Sequence, residues 1–194
     1  MGGGRAPLAG VRVLDFTTVW AGPFGGGLLA RLGAEVIMVE MPFKKAEAYS
    51  KEGAAETAAA HAGLRDFESY SLFCDMLKKS VKIDLKNPAG PELVRQLAGV
   101  SDVVIENFGG PRIMQRFGLG YDDLSAINPR IIYCGMPAMG MTGPEKDYVA
   151  FGVSIESLSG IVSLQGYEDA EMPQKSGINY GDPIAGMSAA ASVI

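Results

Sequence analysis

"VRVLDFTTVWAGPFGGGLLARLGAEVIMVE", Val11 to Glu40, sets the architecture. "VRVLDF" (11–16) is a short β-rich run that suits a buried strand. "TTVWAG" makes a loop. "PFGGGLLARL" (23–32) then reads as a helix, with Pro23 in its first turn and Gly33 as its C-terminal stop. "AEVIMVE" (34–40) is a second strand. A strand, a helix and a strand in this order predict a right-handed crossover joining parallel strands.

The pattern continues along the chain. "SVKIDL", "DVVIENF" and "RIIYCGM" are three further strand candidates. A helix in "ELVRQLAGV", opened by Pro88 or Pro91, and a short one ending in "LSAINP" separate them. The fold class expected is α/β, a Rossmann-like, doubly wound and mostly parallel sheet. "GAAETAAAHAGL" (53–64) is rich in helix formers. Beyond Pro137 a loop rich in Gly and Met leads to a predicted helix, "VSIESLSGIVSL", then to "NYGD" and a helix of small residues, "PIAGMSAAASVI". No repeat or linker interrupts residues 1–194, which read as one domain.

The glycines of the first helix pose a choice. Gly25, Gly27 and Ala30 satisfy G-x-G-x-x-A, the dinucleotide fingerprint. In that fold the first glycine sits in the turn directly after the strand. Here Gly25 lies nine positions after Phe16, inside the predicted helix, and Glu40 follows fifteen after Gly25. The fingerprint's acid belongs about twenty residues on. Close packing against a neighbouring backbone is the better reading, and a dinucleotide-binding protein remains only an alternative. The turn at Val19–Gly22 can still offer N–H groups to a phosphate at the helix start.

Composition narrows the function. A net charge of −5 and no basic run longer than a Lys-Lys pair argue against nucleic-acid binding. No apolar run approaches a membrane span. Cys74 and Cys134 lack ligand spacing, which favours a reduced, cytoplasmic setting. His61 is the only histidine. It rules out a site of several histidines, no metal is expected, and a structural or surface role suits it.

Three segments carry a family resemblance: "PLAGVRVLDFTTVWAGPFGGGLLARLGAEVIMVE", "KKSVKIDLKNPAGPELVRQLAGVSDVVIENF" and "RFGLGYDDLSAINPRIIYCGMPAMGMTGP". In order and spacing they resemble the family III CoA-transferases, which include formyl-CoA transferase, carnitine CoA-transferase and the α-methylacyl-CoA racemases. The stretch from Ala46 to Leu77 resembles them poorly. The resemblance implies a Rossmann-like large domain, of which residues 1–194 form the N-terminal portion with no second domain in this chain. It also implies homo- or hetero-oligomers of interlocked chains. The substrates implied are an acyl-CoA and a carboxylic acid, with no permanently bound cofactor.

The same resemblance implies site residues. Asp182, in "NYGDPIAG", matches the catalytic aspartate, the nucleophile that forms a covalent aspartyl intermediate. Read locally, Asp182 followed by Pro183 is an N-cap and N1 pair, a role compatible with catalysis. CoA would be held by Thr18, Val19, Trp20 and Ala21, by Lys78 or Lys79, by Asn107 and Phe108, and by Arg116. Read locally, Lys78, Lys79 and Arg116 suit a solvated face, while Trp20 and Phe108 suit a core. Phe151 stands where the racemases carry a histidine and cannot move a proton, which disfavours racemisation. Phe151 and Met136 would line an apolar substrate pocket. Met38 and Met41 replace two cations common in the family, with Lys44 or Lys45 as substitutes. A non-catalytic subunit that kept the fold is the alternative from another class.

Overall fold

A computed structural model describes residues 5–41, 72–110, 112–169, 171–174 and 177–194. Five parallel strands form its centre: β1 (Arg12–Asp15), β2 (Glu35–Glu40), β3 (Lys79–Lys82), β4 (Val103–Glu106) and β5 (Ile132–Gly135). Their order is β3-β2-β1-β4-β5. The chain therefore winds outward from β1 to β3, returns to the middle, and winds out the other way. The direction reverses between β1 and β4, and in such sheets ligands bind beyond the strand ends at that reversal.

Alternation along the strands feeds two apolar layers. Leu14 of β1 and Val104 of β4 face one side with Val94 and Ala98 of α2 (Ala89–Ala98) and Leu124 of α3 (Tyr121–Ile127). Val13, Val103 and Ile105 face the other side with Leu29 and Ala30 of α1 (Ala21–Arg31) and Ala190 of α5 (Gly181–Val193). Burial on both faces explains the consecutive apolar residues Val13-Leu14 in β1 and Val103-Val104-Ile105 in β4.

Helices α1 and α5 cross at glycine. A Cβ on Gly25 would lie 2.8 Å from the Gly186 carbonyl oxygen, and one on Gly186 would collide with the Ala21 carbonyl. Of the glycines expected to serve close packing, Gly25 meets the small-residue helix, Gly26 lies against Asp15 and Lys78, and Gly27 against the Cys74 carbonyl.

Three expectations need correction. The predicted helix 153–164 is broken: α4 (Gly152–Leu158) stops before Gly160, whose φ of +80° turns the chain into a short 3-10 turn, Ile161–Leu164. The strand expected over "SVKIDL" ends at Lys82, although Ile83 and Leu85 are still buried. Helix α5 begins at Gly181, so Asp182 stands inside its first turn and makes no side-chain cap. The readings of His61, Lys44, Lys45 and the 53–64 helix lie outside the described residues.

The crossing makes a stability prediction. Gly186→Ala forces a methyl group onto a carbonyl oxygen, an overpacking cost of about 1–3 kcal/mol. The urea midpoint should fall with the slope of the transition unchanged.

Candidate active site

The site is built where α1 begins. The backbone after β1 turns sharply, and Val19 adopts φ 67°. A β-branched residue in the left-handed region is a true outlier, and such strain clusters at ligand sites. Across the reversal point, the Thr18 N–H donates to Asn107 Oδ1 at 2.8 Å and Asn107 Nδ2 donates to the Thr18 carbonyl at 2.7 Å. The loops after β1 and β4 are thereby tied together. Two sequence-predicted residues meet in this pair.

Helix α1 starts without a side-chain cap. Its first N–H groups have no partner within the helix and favour an anion. The Ala21 N–H faces the Asp182 carboxylate and draws its pKa down. One N–H group expected to face a phosphate is thus turned to a carboxylate of the same chain. Asp182 and Gly186 lie one turn apart on α5, as do Ala21 and Gly25 on α1, so the glycine contact sets the carboxylate against the helix start.

Helix α4 closes the third side. A Cβ on Gly152 would collide with Asp182 Oδ2 and stand 2.8 Å from Asn179 Cβ. One turn on, Glu156 is only 3% exposed, and neither carboxylate oxygen has a hydrogen-bond partner. Asn179 Oδ1 is a second buried acceptor with no partner. Burial raises the Asp182 pKa above 3.8, the Ala21 N–H opposes the shift, and the Glu156 charge adds to it. Sequence reading missed Glu156, since one glutamate in a short polar helix looks solvated.

The adjacent lysines part company. Lys78 is 1% exposed; its ammonium meets Asp15 at 2.7 Å, Asp75 at 2.8 Å and the Pro23 carbonyl at 3.0 Å. Asp15 is fully buried and also accepts from the Thr17 N–H and hydroxyl. Burial pushes the Asp15 carboxyl up, while Lys78 and Thr17 pull it down. Lys78 is therefore neither on a solvated face nor open to a ligand: its donors are spent holding β1 against α1. Lys79 is 71% exposed and pairs with Glu35 at 2.5 Å.

The remaining residues are spread around the strand ends. Phe108 packs against the apolar layer of Leu14 and Val104, and its N–H donates to Glu106 Oε2 at 2.8 Å. Trp20 is half-buried just ahead of α1. Arg116 is exposed in a 3-10 turn, Gln115–Phe117, and lines a cleft of about 180 Å³ with Arg112, whose guanidinium pairs with Asp147 at 3.1 Å. Met136 follows β5, half-buried, and its N–H donates to the Glu106 carbonyl at 2.8 Å. Phe151 is 63% exposed at the start of α4. Among the described residues no group of three or more His, Cys, Asp or Glu could hold a metal ion, and no helix is long and apolar enough to cross a membrane.

Comparison with known proteins agrees with this α/β class of fold. A family model described as CoA-transferase family III matches residues 8–194. The chain belongs to CoA-transferase family III. It is 34% identical to succinate–glutarate CoA-transferase of Agrobacterium fabrum, an alignment covering 97% of this chain and 46% of that protein. It is 37% identical to succinyl-CoA–D-citramalate CoA-transferase of Chloroflexus aurantiacus, over 97% of this chain and 44% of that one. A crystal structure of a CAIB/BAIF family protein from Brucella suis is similar with a TM-score of 0.78 and 34% identity, covering 96% of this chain and 48% of that one. The chain thus spans less than half the length of these relatives.

Replacing Lys78 with Met should strand the buried Asp15 charge and cost about 3–5 kcal/mol, as breaking buried pairs does. Lys79→Met should stay within about 0.5 kcal/mol of the parent, as exposed positions do. Chemical denaturation of the two variants side by side tests the division.

Proposed function

We propose that this chain carries the nucleophile and part of the coenzyme A site of an enzyme that moves coenzyme A between an acyl-CoA and a free carboxylic acid. The observation that carries this reading is the contact between Ala21 and Asp182. It brings the residue matched to the family's nucleophile against the loop matched to its CoA contacts. Thr18 to Ala21, Asn107, Phe108, Lys79 and Arg116 are the CoA-facing candidates. The buried ammonium of Lys78 takes it off that surface.

The chemistry needs neither electrons nor net proton transfer. An Asp182 oxygen attacks the thioester carbonyl carbon of the donor. The C–S bond breaks, its electron pair stays on sulfur, and CoA thiolate leaves a mixed anhydride on Asp182. The thiolate then attacks the aspartyl carbonyl carbon, releasing the donor acid as a carboxylate and leaving an aspartyl-CoA thioester. The acceptor carboxylate runs the same steps in reverse, so a new acyl-CoA leaves and Asp182 is restored. Covalent catalysis of this kind divides one hard exchange into easier ones.

The local physics suits each demand. The start of α1 stabilises a carboxylate and any negative oxygen that develops beside it. Partial burial weakens competition from water for the anhydride. The named relatives act with succinyl-CoA, or on succinate and glutarate, so a dicarboxylic acid is the substrate class to try first. Interlocked chains and further polypeptide around the site belong to the same proposal.

Two measurements test it on the full-length protein with succinyl-CoA and glutarate. Hydroxylamine should trap an adduct at Asp182 in the parent, and Asp182→Asn should abolish both adduct and turnover while leaving thermal unfolding in place. An adduct on another residue, or turnover surviving the substitution, would refute the reading. The second is the pH profile. The carboxylate is the reactive form and its pKa is raised from 3.8. Activity should therefore be lost on acidification at a pH above that of an ordinary aspartate, and be complete well above it.

A further inference from the structure

Thr17 follows β1, is only 6% exposed, and takes no part in the proposed chemistry. Its N–H and its hydroxyl both donate to Asp15 Oδ1, while the Lys78 ammonium takes Asp15 Oδ2. The rest of the side chain packs on α1: a Cβ on Gly22 would collide with Thr17 Cβ and with its methyl carbon. Gly22 has no positive φ, so close approach, and not backbone freedom, calls for glycine there. One turn on along the same face, a Cβ on Gly26 would collide with Asp15 Oδ2. The first turns of α1 are thus seated directly on Thr17 and Asp15.

We propose that Thr17 is a positioning residue for coenzyme A: its hydroxyl, anchored on Asp15, holds the turn Thr18–Ala21 in the shape that meets the ligand. The inference rests on the transferase reading, which gives that turn to CoA, and goes beyond it by naming the side chain that fixes the turn. The turn is tied at two ends. At Thr18 the backbone N–H and carbonyl both pair with Asn107. At Gly22 the chain is pressed against Thr17. Val19 lies between, with φ 67°, a conformation that a valine keeps only where its surroundings over-determine it. Without the hydroxyl, the buried Asp15 Oδ1 keeps the Thr17 N–H alone, and the seat under Gly22 shifts to recover a donor. Val19 then relaxes, the ligand-ready turn becomes a minor population, and apparent affinity falls with that population.

Lys78 serves the same carboxylate but plays a different part. It reaches α1 at the Pro23 carbonyl, past the turn, and its loss strands a buried charge, which reads out as stability. Thr17 is neutral, so removing its hydroxyl leaves the Asp15–Lys78 ion pair whole. The side chain also divides cleanly into two halves. The methyl group packs against Gly22 and the hydroxyl orients the turn. Valine keeps the β-branched shape and loses the donor, whereas serine keeps the donor and loses the methyl group.

The test uses the full-length protein, with CoA itself in calorimetry and succinyl-CoA with glutarate in turnover. Thr17→Val should weaken CoA binding about tenfold and raise KM for succinyl-CoA by a similar factor, as when about one molecule in ten still holds the turn. The KM for glutarate should stay at the parent value. Thr17→Ala, which also lacks the donor, should match Thr17→Val and serves where the valine variant does not fold. Thr17→Ser should bind CoA as the parent does, even though the lost methyl group lowers its Tm. Parental affinity in the two donorless variants, or equal weakening in Thr17→Ser, overturns the inference; so does a lowered Tm with unchanged affinity, the mark of a merely structural role. A parent that binds CoA but gives no turnover and no hydroxylamine-trapped adduct refutes the transferase chemistry alone, and binding then decides the part played by Thr17. A parent that does not bind CoA overturns both.

Discussion

The close crossing of α1 and α5 is the constraint on which the site depends. Two glycines, Gly25 and Gly186, remove the side chains that would hold the helices apart. Ordinary helix pairs sit 8–10 Å apart. With a side chain at either glycine, the first turn of α5 would be lifted from the start of α1, and Asp182 would lose the Ala21 N–H. A packing decision in the apolar layer thus becomes an electrostatic one at its rim. The two elements come from opposite ends of the chain, so the site exists only once the whole sheet is closed.

A second constraint holds the other side of the same turn. Asp15 ends β1 and is fully buried; its carboxylate gathers Thr17 and Lys78, and Lys78 reaches on to the Pro23 carbonyl in α1. Buried pairs contribute little net stability, because desolvation offsets attraction. What this one supplies is placement: strand end, turn and first helix share a single ion pair. The strain at Val19 falls within the span so clamped. A clamped turn can hold a residue in a conformation that a free loop would abandon.

Much of this was legible in the sequence. Periodicity located all five strands and the first crossover, and the spacing of the glycines separated helix packing from a dinucleotide turn. The family motifs pointed to Asp182 and to the turn as candidates, and the fold sets the two side by side. What failed did so for physical reasons. Lys78 and Lys79 are adjacent, and alternation sends neighbouring side chains to opposite sides; sequence gives no parity until the register Ile37↔Lys79 is known. Gly160 looks tolerable inside a helix, yet its left-handed φ ends one. An Asp-Pro pair normally marks a cap, but the chain before Asp182 is already helical, so the carboxylate is free to serve another helix. Glu156 was invisible because burial of a single polar residue is a tertiary event.

Met41 makes the same point about charge. Its position commonly carries a cation in the family, and here the side chain packs on the apolar layer with Leu14 and Val39. Met38 lies in β2, half-buried opposite Asp15 and Ser80. A cation at Met38 would stand beside the buried Asp15, already paired with Lys78, and one at Met41 would enter the apolar layer; either would need a counter-charge of its own. The chain has instead placed its cations at the periphery, on Lys79, Arg112 and Arg116. An exposed cation costs little to hold and attracts a phosphate over a Debye length of roughly 8–10 Å. The interior pair of Asp15 with Lys78 then differs in kind from the charges at the rim. The buried pair fixes geometry at short range, and the exposed cations stand open to solvent.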